Sequence, residues 1–170
     1  MEKKPTSSSV IGLIISAVLI VISLAVYFLD LFTEQWIQYV GLVVLFGAII
    51  WAVINNGQER KNNVTFGNLF SFGFKVTAVV IVIIVLYTLL SGYIFPDMKE
   101  KIIESARTRA LSNPKADPTQ IKTGMDIFEK NYTLFLVIGV VFWYLILGVI
   151  ASLIGAAVAK KTPASPFQNS

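Results

Sequence analysis

Residues 65–75 read Thr65-Phe66-Gly67-Asn68-Leu69-Phe70-Ser71-Phe72-Gly73-Phe74-Lys75, and they lead directly into the uncharged residues 76–93. In a helix the three Phe residues at every fourth position share one stripe, whereas Asn68, Ser71 and Lys75 occupy a neighbouring stripe. Residues 66–75 are therefore an amphipathic lead-in. Because polar groups and a charge precede an apolar run of this length, the stretch predicts a helix that enters a membrane.

Four long runs of the 170-residue chain contain no Asp, Glu, Lys or Arg: residues 10–29, 36–54, 76–93 and 132–159. Each run is close to the ~20 residues that cross a hydrocarbon core of ~30 Å as a helix. Since 55% of all residues are apolar and only 14% are charged, a soluble fold would have to expose the excess apolar surface. The sequence therefore predicts an all-α membrane protein with four transmembrane helices.

The connections predict how the spans are threaded. Residues 30–35 form a short turn, so spans one and two make an antiparallel hairpin, and Asn55-Asn56-Gly57 predicts a stop and turn after span two. Residues 94–131, between spans three and four, are the one sizeable extramembrane segment. In this segment Pro96 and the pair Asp117-Pro118 predict the starts of two helices. The predicted fold is two antiparallel hairpins of spans, with an extramembrane helical hairpin between spans three and four.

The two ends of the chain are predicted to be tails. Residues 1–9 precede the first span with Ser9 as its N-cap, and residues 160–170 form a disordered tail. The first apolar run is too long for a secretory signal peptide, and no small-x-small cleavage site follows Phe28, so we expect an uncleaved span.

Basic residues predict the orientation of the spans. Residues 30–35 contain no Lys or Arg, whereas the opposite ends of the spans are flanked by basic residues: Lys3, Lys4, Arg60, Lys61, Lys160 and Lys161. Positive charge is retained on the cytoplasmic side. We therefore expect both termini in the cytoplasm and residues 94–131 on the other side of the membrane.

Span four carries two rows of small residues with a spacing of four. The first row is Gly148, Ser152 and Ala156, and the second is Ala151, Gly155 and Ala159. Small side chains let another helix approach closely, and close packing drives helix association in lipid. We predict that span four packs through one row or the other.

Asn68, Ser71 and Lys75 form the candidate polar pocket. A lysine inside a span marks an ion or substrate path by default. However, the apolar residues 76–93 suffice to cross the membrane, so the Lys75 ammonium can instead snorkel to the interface. Two interpretations remain open: an interfacial anchor, or a polar pocket in a small transporter or lipid-binding protein.

The chain contains no Cys and no His, which excludes thiol nucleophiles, His-dependent catalytic triads and the usual zinc sites. The acidic residues of segment 94–131 are interspersed with Lys and Arg, as is typical of a solvated helix face. We therefore expect no enzyme activity, catalytic residue, cofactor or metal. The net charge of +4 includes no long basic run, so we expect no nucleic-acid partner.

Residues 65–70, with Gly73-Phe74 and a small-residue span four that ends at Lys160-Lys161-Thr162-Pro163, resemble a bacterial family of integral membrane proteins. The family is domain of unknown function family four-one-nine-nine. Its members have four spans, two close hairpins and a charged helical insert between spans three and four. The resemblance covers nearly the whole chain, carries no catalytic residue across, and implies the inner membrane of a Gram-negative bacterium.

The predicted spans make the lipid bilayer a partner of this protein. Two functional hypotheses follow. In the first, the chain is a non-enzymatic membrane subunit or accessory protein that binds another protein through residues 94–131; a homo-oligomer is the other candidate assembly. In the alternative, it is a small transporter or lipid-binding protein that uses the polar face of Asn68, Ser71 and Lys75.

Overall fold

A computed structural model describes residues 5–34, 36–112 and 117–159. Most of these residues belong to helices: α1 (Ser8–Phe28), α2 (Ile37–Glu59), α3 (Phe66–Ile94), α4 (Pro96–Leu111), α5 (Pro118–Lys130) and α6 (Tyr132–Val158). A short 3-10 turn, Leu31–Thr33, follows α1, and the described ranges contain no strand. The all-α prediction is confirmed. The predicted tail 160–170 lies outside the described residues, as do residues 1–4.

Four of these helices are long and apolar enough to cross a membrane: α1, α3, α6 and residues Tyr39–Glu59 of α2. Their outward faces are apolar too, since Leu13, Val43, Val82 and Phe142 are each more than half exposed. A soluble protein rarely exposes so much apolar surface, whereas lipid accepts it. The four apolar helices therefore indicate a multi-pass membrane protein, as the sequence predicted.

The amphipathic lead-in and the third predicted span form one continuous helix. The Thr65 side chain caps this helix by accepting a hydrogen bond from the Asn68 N–H at 3.2 Å, and α3 then runs for 29 residues. At 1.5 Å per residue its length is about 43 Å, which exceeds a ~30 Å hydrocarbon core. The helix is therefore long enough to hold both a complete span and the amphipathic lead-in outside the hydrocarbon core.

The second long helix does not turn at Asn55-Asn56-Gly57, where the sequence predicted a turn, but continues to Glu59. Asn56 is only 3% exposed, and a Cβ atom placed on Gly57 would lie 3.5 Å from Leu69 Cδ2 and 3.7 Å from Ala159 Cβ. Packing against the neighbouring helices therefore holds these residues in a helix despite their low helix propensity.

The turn comes four residues later. Lys61 has a left-handed φ of 55°, and the Asn62 N–H donates to the Gly57 carbonyl at 2.8 Å, which is the 6→1 bond of a Schellman helix end. At the start of α1 the N-cap is Ser7, whose Oγ accepts from the Val10 N–H at 3.3 Å. This cap lies two residues before the predicted Ser9.

Helices α3 and α6 approach each other closely. A Cβ atom placed on Gly73 would lie 2.5 Å from Ser152 Oγ, and one placed on Gly148 would overlap the Thr77 side chain. Each helix therefore sets a glycine opposite a hydroxyl residue of the other. Residue numbers rise along α3 as they fall along α6, so the two helices run in opposite directions at this contact.

The second row of small residues on α6 faces α2. A Cβ atom on Gly155 would lie 2.9 Å from Val53 Cβ and 3.3 Å from the Ile50 carbonyl oxygen, and Ala159 Cβ is 3.7 Å from such an atom on Gly57. The two rows thus pack against different helices. All six residues predicted for packing are buried: Gly148, Ala151, Ser152, Gly155, Ala156 and Ala159.

Buried hydroxyls at these contacts bond within their own helices. Thr77 Oγ1 donates to the Gly73 carbonyl at 2.9 Å, and Ser152 Oγ donates to the Gly148 carbonyl at 2.6 Å. Such back-bonding satisfies each hydroxyl without a partner across the interface. The polar groups can therefore be buried in lipid without leaving a donor unpaired.

We predict that Gly148→Ala destabilises the bundle by about 1–3 kcal/mol, the usual cost of overpacking, because Thr77 occupies the space of the new methyl group. The matched control is Gly139→Ala on the same helix, where no atom lies within 4 Å of the new Cβ. The midpoint of thermal unfolding in detergent measures both. Equal midpoints for the two variants would contradict the packing described for α3 and α6.

Candidate functional site

A surface groove of about 420 Å³ lies at the end of the bundle where α1 and α3 begin. It brings together the three residues of the predicted polar pocket, Asn68, Ser71 and Lys75, all of which are exposed. The helical positions i, i+3 and i+7 align these side chains on one face of α3. Phe72, which is buried, supplies the apolar part of the lining. We call this cavity the basic groove.

The other lining residues of the basic groove were not predicted as site residues. They are Arg60, which follows the last residue of α2, and residues 5–8, which lead into α1 and include its N-cap Ser7 and its first residue Ser8. Arg60 joins Lys75, so the described lining carries two cationic side chains and no acidic one. The partial positive charge at the N-terminus of α1 has the same sign.

Hydrogen bonds between two residues 53 positions apart in the sequence hold Thr6, one of the lining residues of this groove. Glu59 accepts hydrogen bonds from the Thr6 N–H at 2.7 Å and from the Thr6 hydroxyl at 2.9 Å. The same carboxylate accepts from Asn55 Nδ2 at 3.0 Å. These bonds hold the chain segment before α1 against the end of α2, and Arg60 follows directly. No local sequence pattern predicts a contact between residues so far apart in the chain.

Lys75 lies at the surface, in the same groove as the first turn of α1. Its position is compatible with an ammonium that reaches the interface, which is the anchor interpretation. Phe66, Phe70 and Phe74 lie along a separate face of α3: ring centroids are 6.5 Å apart for the stacked pair Phe66 and Phe70, and 6.2 Å apart for the tilted pair Phe70 and Phe74.

At the other end of the bundle α4 is tied to the connection between α1 and α2. Lys101 Nζ lies 2.7 Å from Asp30 Oδ1, and Arg109 Nη2 donates to the Phe32 carbonyl at 2.9 Å. The hydrogen bond to Asp30 raises the pKa of Lys101 above its usual value of 10.5. Because the pKa is raised in the folded state, the pair of Lys101 and Asp30 contributes fully to folding stability below pH 10.5. This contribution to stability is lost only as the pH rises through the folded-state pKa of Lys101.

A second groove, of about 280 Å³, runs between α4 and α5, and we call it the α4–α5 groove. Its lining combines apolar and charged residues: Arg107, Leu111, Pro118, Ile121, Lys122, Met125 and Asp126. Beneath it a small apolar cluster of Ile103, Met125 and Tyr132 joins α4 and α5 to the start of α6. The predicted N-cap of α5 is present, since Asp117 Oδ1 accepts from the Thr119 N–H at 2.7 Å.

Comparison with protein families gives a match to the family described as Protein of unknown function (DUF4199), over residues 11–161. The chain belongs to the DUF4199 family. No curated protein and no solved structure matches it. The match to DUF4199 spans the helical bundle and both grooves, apart from residues 5–8.

The acidic residues of α4 and α5 in this DUF4199 protein do not form a cluster of metal ligands. In the described part of the chain, no three Asp, Glu, His or Cys side chains are close enough to hold an ion. Glu129 instead lies 3.9 Å from Arg107, on side chains that are about half exposed. The arrangement of these helices is suited to a charged contact surface.

We predict that Arg109→Ala loosens α4, because the bond from its guanidinium to the Phe32 carbonyl is lost. Hydrogen bonds from charged donors contribute roughly 1.5–3 kcal/mol, so amide hydrogen exchange in α4 should accelerate about tenfold or more. The control is Arg107→Ala, one of whose contacts is the long ion pair to Glu129. Equal exchange rates in the two variants would argue against Arg109 as the tether.

Proposed function

We propose that this DUF4199 protein is a non-enzymatic membrane subunit or accessory protein that binds a protein partner through α4 and α5. The observation that carries the proposal is that α4 is tied to the bundle through Arg109 and Lys101, while the groove between α4 and α5 stays open. A surface that is already held in place loses little conformational entropy when a partner binds.

The chemistry of the α4–α5 groove supports a protein ligand. Leu111 is 59% exposed, and charged side chains, among them Arg107, Lys122 and Asp126, surround the apolar lining. An apolar centre with a polar rim is the usual anatomy of a protein interface. The occupant is a second membrane protein or a second copy of this chain.

We further propose that the four spans form two antiparallel hairpins in a bacterial inner membrane, with both termini in the cytoplasm and residues 94–131 outside the membrane. The bond between Thr6 and Glu59 supports a common end for the start of α1 and the end of α2. The pair of Lys101 and Asp30 supports a position for α4 at the opposite end. The end of the bundle near Thr6 and Glu59 carries the basic residues Arg60, Lys61 and Lys75, whereas the short connection at the opposite end carries none. The excess of basic residues near short loops favours the cytoplasmic side for the first end.

The orientation is testable because the chain has no cysteine. Ser112→Cys and Asn63→Cys each place one thiol at an exposed position. An impermeant maleimide applied to intact spheroplasts should label Ser112→Cys and should label Asn63→Cys only after permeabilisation. The opposite pattern would invert the proposed threading.

For the partner, we predict that a photoreactive amino acid at position 111 captures a discrete adduct in native membranes, because Leu111 lines the α4–α5 groove. The matched control is position 127, since Ile127 is 49% exposed and does not line that groove. Mass spectrometry identifies the adduct, and Lys122→Glu, at an exposed lining residue of the groove, should reduce its formation and its co-purification with the chain. Equal labelling at positions 111 and 127, or an adduct yield that Lys122→Glu leaves unchanged, would contradict the proposal.

A second function, that of a small transporter or lipid-binding protein, is favoured by a separate observation. Asn68, Ser71 and Lys75 open into one cavity together with Arg60 and the start of α1. This arrangement gives the polar face of α3 a volume large enough for a small polar group at the level of the membrane interface.

A further inference from the structure

We infer that the basic groove is a binding site for a phosphate group, carried either by the headgroup of an anionic phospholipid or by free phosphate. This inference rests on the second proposed function, binding of a ligand at the polar face of α3, and it names the chemical class of that ligand. It is carried by the groove's cations, by neutral donors on two segments and by the position of the groove along α3.

Two cationic side chains from different parts of the chain line the groove. Arg60 directly follows α2, and Lys75 lies on α3. Among the described residues neither side chain takes part in an ion pair. A planar guanidinium and a compact ammonium are the two side-chain groups that proteins use most for phosphate. Their convergence on one cavity gives it a positive potential that selects anions.

The acidic residue that precedes Arg60 in the chain, Glu59, is not part of the groove lining. Its two carboxylate oxygens accept hydrogen bonds from Thr6 and Asn55, at 2.7–3.0 Å. Glu59 thus shapes the groove by holding the segment before α1, and the described lining retains two positive charges and no negative one.

Neutral donors complete the site. Ser71 and Asn68 present a hydroxyl and an amide on the same face of α3 as Lys75. Ser7 and Ser8 bring the first turn of α1 to the groove, where helix geometry directs N–H groups and partial positive charge outward. A phosphate has several acceptor oxygens, so it can engage charged and neutral donors from different segments at once.

The position of the groove suits a lipid headgroup. It lies on the first turns of α3, which precede the apolar residues 76–93, and therefore at the depth of lipid phosphates. On α1, one to two turns further into the membrane, the apolar side chains Val10, Leu13 and Ile14 are each about half exposed. A lipid whose phosphate occupied the groove would find apolar surface for its acyl chains at that depth.

The experiment uses the full chain in a neutral alkyl maltoside detergent, with three probes: dioleoyl phosphatidylglycerol, inorganic phosphate and a neutral galactosyl diacylglycerol. The apparent Kd of each is obtained from the rise in unfolding temperature with ligand concentration. For whichever of phosphatidylglycerol and inorganic phosphate binds, we expect Lys75→Gln and Arg60→Gln each to raise Kd at least tenfold. Ser71→Ala, which changes no charge, should raise it about threefold to fivefold.

The matched control is Lys61→Gln. Lys61 is exposed at the same end of the bundle and is not among the residues that line the groove. The change removes the same charge as Lys75→Gln, and we expect it to alter Kd less than twofold. If Lys61→Gln weakens binding as much as Lys75→Gln, and Ser71→Ala has no effect, the attraction is general surface charge and the inference is overturned. The unfolding temperature of each variant without ligand verifies that it folds.

The probes separate the possible ligands. If phosphatidylglycerol binds in a way that depends on the groove residues and inorganic phosphate does not bind, the site is assigned to a lipid headgroup. If the binding of inorganic phosphate depends on the groove residues, the site is assigned to the free anion. If the neutral glycolipid binds as tightly as phosphatidylglycerol and Ser71→Ala weakens both, lipid binding stands but the preference for phosphate is wrong. If no probe shows dependence on the groove residues, both the phosphate inference and the lipid-binding function fail.

Discussion

The contact between α3 and α6 depends on the absence of side chains at two glycines. Helices in lipid gain nothing from the hydrophobic effect when they associate, so dispersion at short range must hold them together. Gly73 receives Ser152, and Gly148 receives Thr77, which brings the two backbones close. Both hydroxyls donate to carbonyls of their own helices, so this approach leaves neither hydroxyl unpaired.

Val53 extends the same contact to a third helix. A Cβ atom on Gly73 would lie 2.6 Å from Val53 Cγ2, and one on Gly155 would lie 2.9 Å from Val53 Cβ. One fully buried valine of α2 therefore fits between glycines of α3 and α6. This junction fixes the rotation of α3 about its axis. Ser71 and Lys75 are two residues from Gly73 on either side, about 200° around the helix, so they face away from α6. The position of the basic groove thus follows from the packing.

The sequence predicted those features that depend on local pattern. Span four shows two rows of small residues at a spacing of four, and both rows are buried. The sequence offered them as alternatives, because periodicity identifies a packing face without naming the helix that covers it. The turn predicted at Asn56 and Gly57 failed for the same reason. Their low helix propensity is a local property, whereas Leu69 and Ala159, which pack against Gly57, come from other parts of the chain.

The candidate site shows the same division. Asn68, Ser71 and Lys75 could be placed together from helical spacing alone, but Arg60 could not, since its place in the groove depends on the bond between Thr6 and Glu59. The two ends of the bundle also differ electrostatically. At the α4 end, Lys101 is paired with Asp30, and Arg109 donates to a backbone carbonyl, so these cations hold the fold together. At the other end Arg60 and Lys75 line one groove, and neither forms an ion pair with another described residue. This difference between the two ends is the physical basis of the inferred phosphate site.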